Sequence, residues 1–207
     1  MKPRWAILFA VAAALAFAAV VLAAERAHRD ASALRGGDAT AGPAARFDGA
    51  LLPKGIRVPS FRLRDENGHE VDERALLGRP VVITFLYTHC HDTCPITAQQ
   101  VKGAMDDLRT PVTAIAFSVD PDHDTRRSAR RFLTEVGMSG RLRFLLGTRD
   151  ELAPIWRAFA IRPQLPNEEH QARLVLADAR GYQRVGYPAQ QATPERLAHD
   201  LRALGAS

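Results

Sequence analysis

The chain has 207 residues, of which 46% are hydrophobic and 25% charged, ordinary values for one moderate globular domain with short additions. A net charge of +5 and a pI near 9.8 do not make it a nucleic-acid binder, because the basic residues are scattered and no nucleic-acid motif accompanies them. Internal repeats, a phosphate-binding glycine loop and a serine elbow are also missing from the sequence.

Lys2 and Arg4 precede an apolar run from Trp5 to Ala24, about 20 residues and enough as a helix to cross about 30 Å of hydrocarbon. Residues 1–24 therefore read as a signal anchor, or as a signal peptide cleaved after the small residues near Val21-Leu22-Ala23. In either case the remainder is exported. With the basic end inside, an anchored domain lies on the periplasmic face of the inner membrane. Residues 25–46 lack periodicity and read as a flexible linker. The folded domain is predicted over 47–207.

Leu51, Leu52, Ile56 and Val58, interrupted by Pro53, Gly55 and Pro59, predict an extended segment at a sheet edge. Phe61 to Arg64 alternates, Asn67-Gly68 is a turn pair and Val71 resumes the pattern, so a β-hairpin precedes the core. Asp72 is placed to cap a short helix that ends at Gly78. Val81 to Tyr87 is a continuous apolar and β-branched run, as in a strand buried on both faces. Next come His89-Cys90-His91-Asp92-Thr93-Cys94-Pro95, a short exposed loop and then a helix with Pro95 at its first position. Beyond it, strands are predicted at 112–119, 142–146 and 174–177, helices at 128–136 and 150–159, a closing strand at 182–187 and a last helix capped by Thr193. This alternation implies an α/β sandwich with a mostly parallel centre.

Cys90 and Cys94 are the chain's two cysteines. At a helix N-terminus, free N–H groups and the helix dipole lower a thiol pKa and supply thiolate, the form that binds metals. The plain alternatives are two small buried hydrophobes, or a structural disulfide, which would remove little chain entropy across so short a loop. Outside the cytoplasm, dithiol and disulfide states compete.

Tyr87-Thr88-His89-Cys90-His91-Asp92-Thr93-Cys94-Pro95, Ser118-Val119-Asp120-Pro121 with Asp124-Thr125, and His170 ahead of Leu176, Asp178 and Gly181 together resemble the Sco (SenC) family. The Asp65 to Gly68 turn matches as well. Two positions depart from the family pattern: His91 replaces the usual proline and Glu169 the usual aspartate. The resemblance implies a thioredoxin-like sandwich with an N-terminal β-hairpin extension. It also implies a copper site made of Cys90, Cys94 and His170, and a role in delivering copper to, or preparing, the dinuclear copper centre of cytochrome c oxidase. Subunit II of that oxidase is the implied partner. Two thiolates and one imidazole suit a soft ion, cuprous copper especially. His91 is a further candidate ligand. Asp92, Asp120 and Asp124 stand as candidate partners that orient ligands, or as capping and turn residues.

Other chemistries remain open on these residues. A membrane-anchored thiol:disulfide oxidoreductase would use Cys90 as nucleophile and Cys94 as resolving thiol, with His170 dispensable. Zinc held by the same sulfurs and histidines is chemically reasonable. A peroxidase of the peroxiredoxin type lacks its threonine ahead of the reactive cysteine.

Overall fold

A computed structural model describes residues 46–108, 110–164 and 172–206. The apolar segment 1–24, nearly all of the linker, and His170 with its neighbour Glu169 lie outside the described residues. Among the described residues, no helix is long and apolar enough to cross a membrane.

The strands are β1 (Ala50–Leu51), β2 (Arg62–Arg64), β3 (Glu70–Asp72), β4 (Val81–Leu86), β5 (Thr113–Ser118), β6 (Leu142–Leu145), β7 (Arg173–Ala177) and β8 (Gln183–Pro188). The helices are α1 (Thr93–Asp106), α2 (Arg126–Glu135), α3 (Arg149–Ala158) and α4 (Pro194–Ala203). Six strands form one sheet in the order β1-β8-β7-β4-β5-β6, and β2 and β3 form a separate hairpin. The strands β4, β5 and β6 run parallel, whereas β7 is antiparallel to β4, and β8 and β1 continue antiparallel. The sheet is thus mixed rather than mostly parallel. The tight turn from Asp178 to Gly181 makes β8 return antiparallel to β7, the closing hairpin read from the sequence, while β7 itself enters the sheet against the direction of β4.

Every residue of β4 is buried, and its side chains alternate between two cores, as the period of two requires. Val82 and Leu86 pack with Ala98, Val101, Phe132, Leu133 and Leu197, under α1, α2 and α4. Val81, Ile83 and Phe85 pack with Leu63, Val71, Leu152 and Trp156, under the hairpin and α3. The second core is stiffened by Phe117, which meets Phe61 edge-on at 5.1 Å and Phe85 at 5.8 Å between ring centroids. A strand covered on both sides cannot shift register without moving its apolar set, so its end is a fixed point.

The hairpin forms as its sequence predicts. Asp65 and His69 close it by backbone hydrogen bonds, and Gly68 takes φ +89°. Asp72 caps a 3-10 turn, Glu73–Leu76, through Arg74 N–H. Buried Glu66 accepts Phe144 N–H at 2.9 Å, which fastens the hairpin to β6. Thr193 caps α4 with Pro194 at its first position.

Sequence patterning does not reveal how the domain's start is held. Asp200 on α4 is fully buried, and its carboxylate accepts the N–H groups of Asp48 (2.8 Å) and Gly49 (3.0 Å) and the Tyr187 hydroxyl. A Cβ on Gly49 would collide with Val185 and Tyr187, so the chain passes closer to β8 than any other residue permits. Removing the carboxylate takes the acceptor from the buried Tyr187 hydroxyl and from two part-buried N–H groups. We expect Asp200→Ala to lower the free energy of unfolding by about 2–4 kcal/mol, measured by urea denaturation of the full chain. A loss below about 1 kcal/mol would show that the latch is dispensable.

Candidate metal centre

The carboxyl end of β4 lies at the middle of the sheet, where the chain turns into α1. Val119 N–H bonds to Leu86 carbonyl at 3.0 Å, so β5 still flanks β4 where the loop departs. Cys90 N–H returns to Tyr87 carbonyl at 3.4 Å, a turn that folds residue 90 back over the strand end. The α1 helix then starts at Thr93, with Cys94 in its first turn. Pro95 occupies its third position rather than the first, where a missing N–H is still harmless because the first turn's donors have no partner within the helix.

Both sulfurs lie inside. Cys90 is 7% exposed and Cys94 0%, and both join the apolar core below α1. The exposed loop expected from sequence is therefore half correct: His89, His91 and Asp92 face solvent, while Cys90 in the loop and Cys94 in the first helical turn are buried. The two are not bridged.

Hydrogen bonds divide the pair into unlike thiols. Cys94 N–H donates to Cys90 Sγ at 3.2 Å. The Cys94 thiol's own hydrogen bond to Cys90 is the largest effect holding the Cys90 pKa down, to about 5. Burial opposes it, and the Asp92 and Cys94 N–H groups and the Tyr87 hydroxyl assist. Donating that proton, and being buried, pushes Cys94 far above the ordinary thiol range. Burial and the bond to Cys90 likewise raise Tyr87. At neutral pH the pair carries one negative charge, on Cys90.

The loop is braced by a buried carboxylate. Asp124 Oδ1 accepts Thr88 N–H at 2.8 Å and the Thr88 hydroxyl at 2.7 Å, and Oδ2 accepts the Ser118 hydroxyl at 2.5 Å. Burial raises its pKa against those three donors. The Ser118 carbonyl in turn accepts Trp156 Nε1–H at 2.9 Å, which ties the brace to α3. Thr125 caps α2 in a capping box with Ser128. Asp120 holds His123 through Nδ1 at 2.9 Å, a hydrogen bond that raises the His123 pKa. Asp92 stands at the cap position of α1, yet its side chain makes no capping bond.

The structure brings Cys90 and Cys94 together as predicted. His170 lies outside the described residues. The register Thr84↔Leu174 sets the start of β7 beside the carboxyl end of β4, and the described chain resumes at Ala172, two residues after His170. Sequence reasoning missed Tyr87 as a thiolate donor and Thr88 and Ser118 as parts of the brace. A hydroxyl beside an apolar run carries no periodic signal. Among the described residues, one group of three potential ligands clusters within 4.8 Å: Asp48, His199 and Asp200. Its buried member is already saturated by the latch. By contrast, a thiolate next to a second buried thiol is a donor set that fits a soft metal ion.

A family model described as SCO1/SenC matches residues 52–206. The human mitochondrial protein SCO1 homolog is 31% identical over 106 residues, 49% of this chain and 35% of that protein. SenC of Rhodobacter capsulatus is 29% identical over 150 residues, covering 68% of this chain and 67% of its own. The solved structure of Bradyrhizobium japonicum ScoI with copper bound is 29% identical, with a TM-score of 0.57 over 70% of this chain and 98% of that one. The chain spans about a third of the length of the mitochondrial curated relatives it matches first. Its fold is the thioredoxin-like α/β sandwich of these solved structures.

The Cys90 pKa yields a sign that can be checked. Lowered to about 5 from an ordinary value near 8.5, the thiol is ionised over the whole range between, and protonates as pH falls through about 5. Iodoacetamide labelling of the reduced protein should inflect near pH 5 and stop with Cys90→Ser, and in urea the inflection should move to about 8.5. An inflection near 8.5 in the folded protein would contradict the hydrogen-bonded thiolate.

Proposed function

This chain belongs to the SCO1/SenC family, and from that premise we propose that it is an exported copper-binding protein that delivers copper to, or prepares, the dinuclear copper site of cytochrome c oxidase. Members of the Sco family act in the assembly of that oxidase. The observation that carries the reading is the buried, unbridged Cys90–Cys94 pair, in which Cys94 N–H donates to Cys90 Sγ at 3.2 Å. Copper is the cargo. Cys90 offers it a deprotonated sulfur without losing a proton, whereas Cys94 must release one, so loading the pair frees about one proton at neutral pH.

His170 completes the proposed set with the sulfurs of Cys90 and Cys94, and His91 stands beside it as a candidate for a further position. Support for His170 is its place in sequence just ahead of β7, whose start pairs near the carboxyl end of β4. The proposed organisation is an anchor or signal peptide over 1–24, a linker over 25–46 and the copper domain over 47–207, in the periplasm beside the inner membrane. Subunit II is the proposed acceptor. A reporter fused after Ser207 should be active only outside the cytoplasm, and activity confined to the cytoplasm would refute that placement.

One observation favours a second reading, a thiol:disulfide oxidoreductase. A thiolate at Cys90 above a buried, protonated Cys94 is also the arrangement of a nucleophile and its resolving thiol. His170 separates the two, since exchange has no use for an imidazole ligand. With reduced full-length protein, cuprous titration should give one tight site that disappears on oxidation to the disulfide. His170→Ala should weaken it about 100-fold or more and abolish oxidase assembly while disulfide exchange persists, and His91→Ala should do less. Full copper affinity and assembly in His170→Ala, with both lost in Cys90→Ser, would replace the copper reading with the oxidoreductase.

A further inference from the structure

His89 on the cysteine loop and His123 on the neighbouring connection from β5 to α2 are two histidines that the thiol chemistry leaves unused. His89 and His123 are both exposed, and their rings meet edge-on, with centroids 6.2 Å apart and planes at 79°. Two imidazoles sharing one ion, each nitrogen about 2 Å from it, place their centroids about 5–6.5 Å apart.

Their hydrogen bonds fix which nitrogen is available. The Thr88 hydroxyl has a single proton, given to Asp124 at 2.7 Å. Its oxygen therefore meets His89 Nδ1, at 3.3 Å, only as an acceptor, and His89 carries its proton on Nδ1. At His123 the partner is a carboxylate: both Asp120 oxygens lie within 3.0 Å of Nδ1, so that ring also donates from Nδ1. Each neutral ring is left with a bare Nε2. Hydrogen bonding of one imidazole nitrogen to a carboxylate, directly or through a hydroxyl, is the arrangement that orients metal-bound histidines and raises their basicity. Here the two relays are His123–Asp120 and His89–Thr88–Asp124, and the second shares the buried carboxylate that braces the cysteine loop.

We propose that His89 and His123 form a second cation site through their Nε2 atoms, at the rim of the buried sulfur pair. An all-imidazole, water-accessible site takes divalent ions, cupric most tightly and zinc next to it, whereas sulfur favours the cuprous state. The protein then holds two ports of different softness at the carboxyl ends of β4 and β5. The assignment does not rest on which protein receives copper, and deleting the sulfurs tests it alone.

The test uses the full chain in detergent, with both cysteines changed to serine, titrated with cupric chloride and followed by electron paramagnetic resonance. The tightest cupric ion should show two nitrogen couplings. On that background His89→Ala or His123→Ala should remove one coupling and weaken binding about 100-fold. Asp120→Asn should keep both couplings and cost about 10-fold, a pattern that a merely structural aspartate would not give. Since the His123 side chain is 70% exposed, its loss leaves the fold intact, and His123→Gln repeats the test at similar size. Unchanged affinity and nitrogen count in both His123 variants would overturn the site, as would couplings that disappear only with His91→Ala or His170→Ala.

Discussion

A buried thiolate needs compensation, and no cation figures among the causes that hold the Cys90 thiolate in place. Its charge is carried by oriented dipoles: the N–H groups of Asp92 and Cys94, the thiol of Cys94 and the hydroxyl of Tyr87. Such donors act only if they stay where they are aimed, because a displaced dipole loses its worth faster than a displaced charge. The rest of the molecule follows from that requirement. The first turn of α1 supplies two donors, so α1 must be fixed, and it is fixed by packing on β4, α2 and α4.

The loop between strand and helix is harder to hold, since it has no ladder of its own. Asp124 does this work by reaching from the α2 side to both the backbone and the hydroxyl of Thr88, with Ser118 closing the other oxygen. The carboxylate is paired with hydroxyls and an amide rather than with arginine or lysine. A cation at this distance would compete with a metal ion for the same sulfur and repel it electrostatically. Neutral donors hold the loop without altering the charge that an incoming ion meets.

The elements were largely readable in the chain. Val81 to Leu86 announced a doubly buried strand, Asn67-Gly68 a hairpin, and Thr193-Pro194 a helix start, because in each the local chemistry and the final environment agree. What could not be read is what depends on partners distant in sequence. Asp200 meets Asp48 and Gly49 across about 150 residues, and nothing in its own neighbourhood distinguishes it from a solvent-facing helix residue. The burial of both cysteines was missed for a related reason: polar neighbours at 89, 91 and 92 suggested exposure, but on a turn entering a helix, residues 90 and 94 face opposite to them. The Asp178 to Gly181 turn and its hairpin were legible, whereas the antiparallel run of β7 against β4 is set by partners distant in sequence and carries no local signal.

The sulfur pair does not by itself discriminate between carrying a metal and exchanging disulfides. Ionisation of Cys90 and protonation of Cys94 serve a chelate and a nucleophile equally, and burial of Cys94 slows adventitious attack in both. Discrimination has to come from groups that can bind an ion but have no part in thiol exchange, and around these strand ends those groups are imidazoles. Two of them, His89 and His123, are held by hydroxyl and carboxylate relays, an expense of structure that disulfide chemistry would not use. Histidine also replaces the proline of the family pattern at residue 91, directly after the thiolate, where it adds a basic nitrogen to a surface that a redox partner would have to cross. An imidazole that binds an ion directly has no counterpart in disulfide exchange, where it could act only on the proton of a thiol, so the two chemistries part at the histidines rather than at the sulfurs.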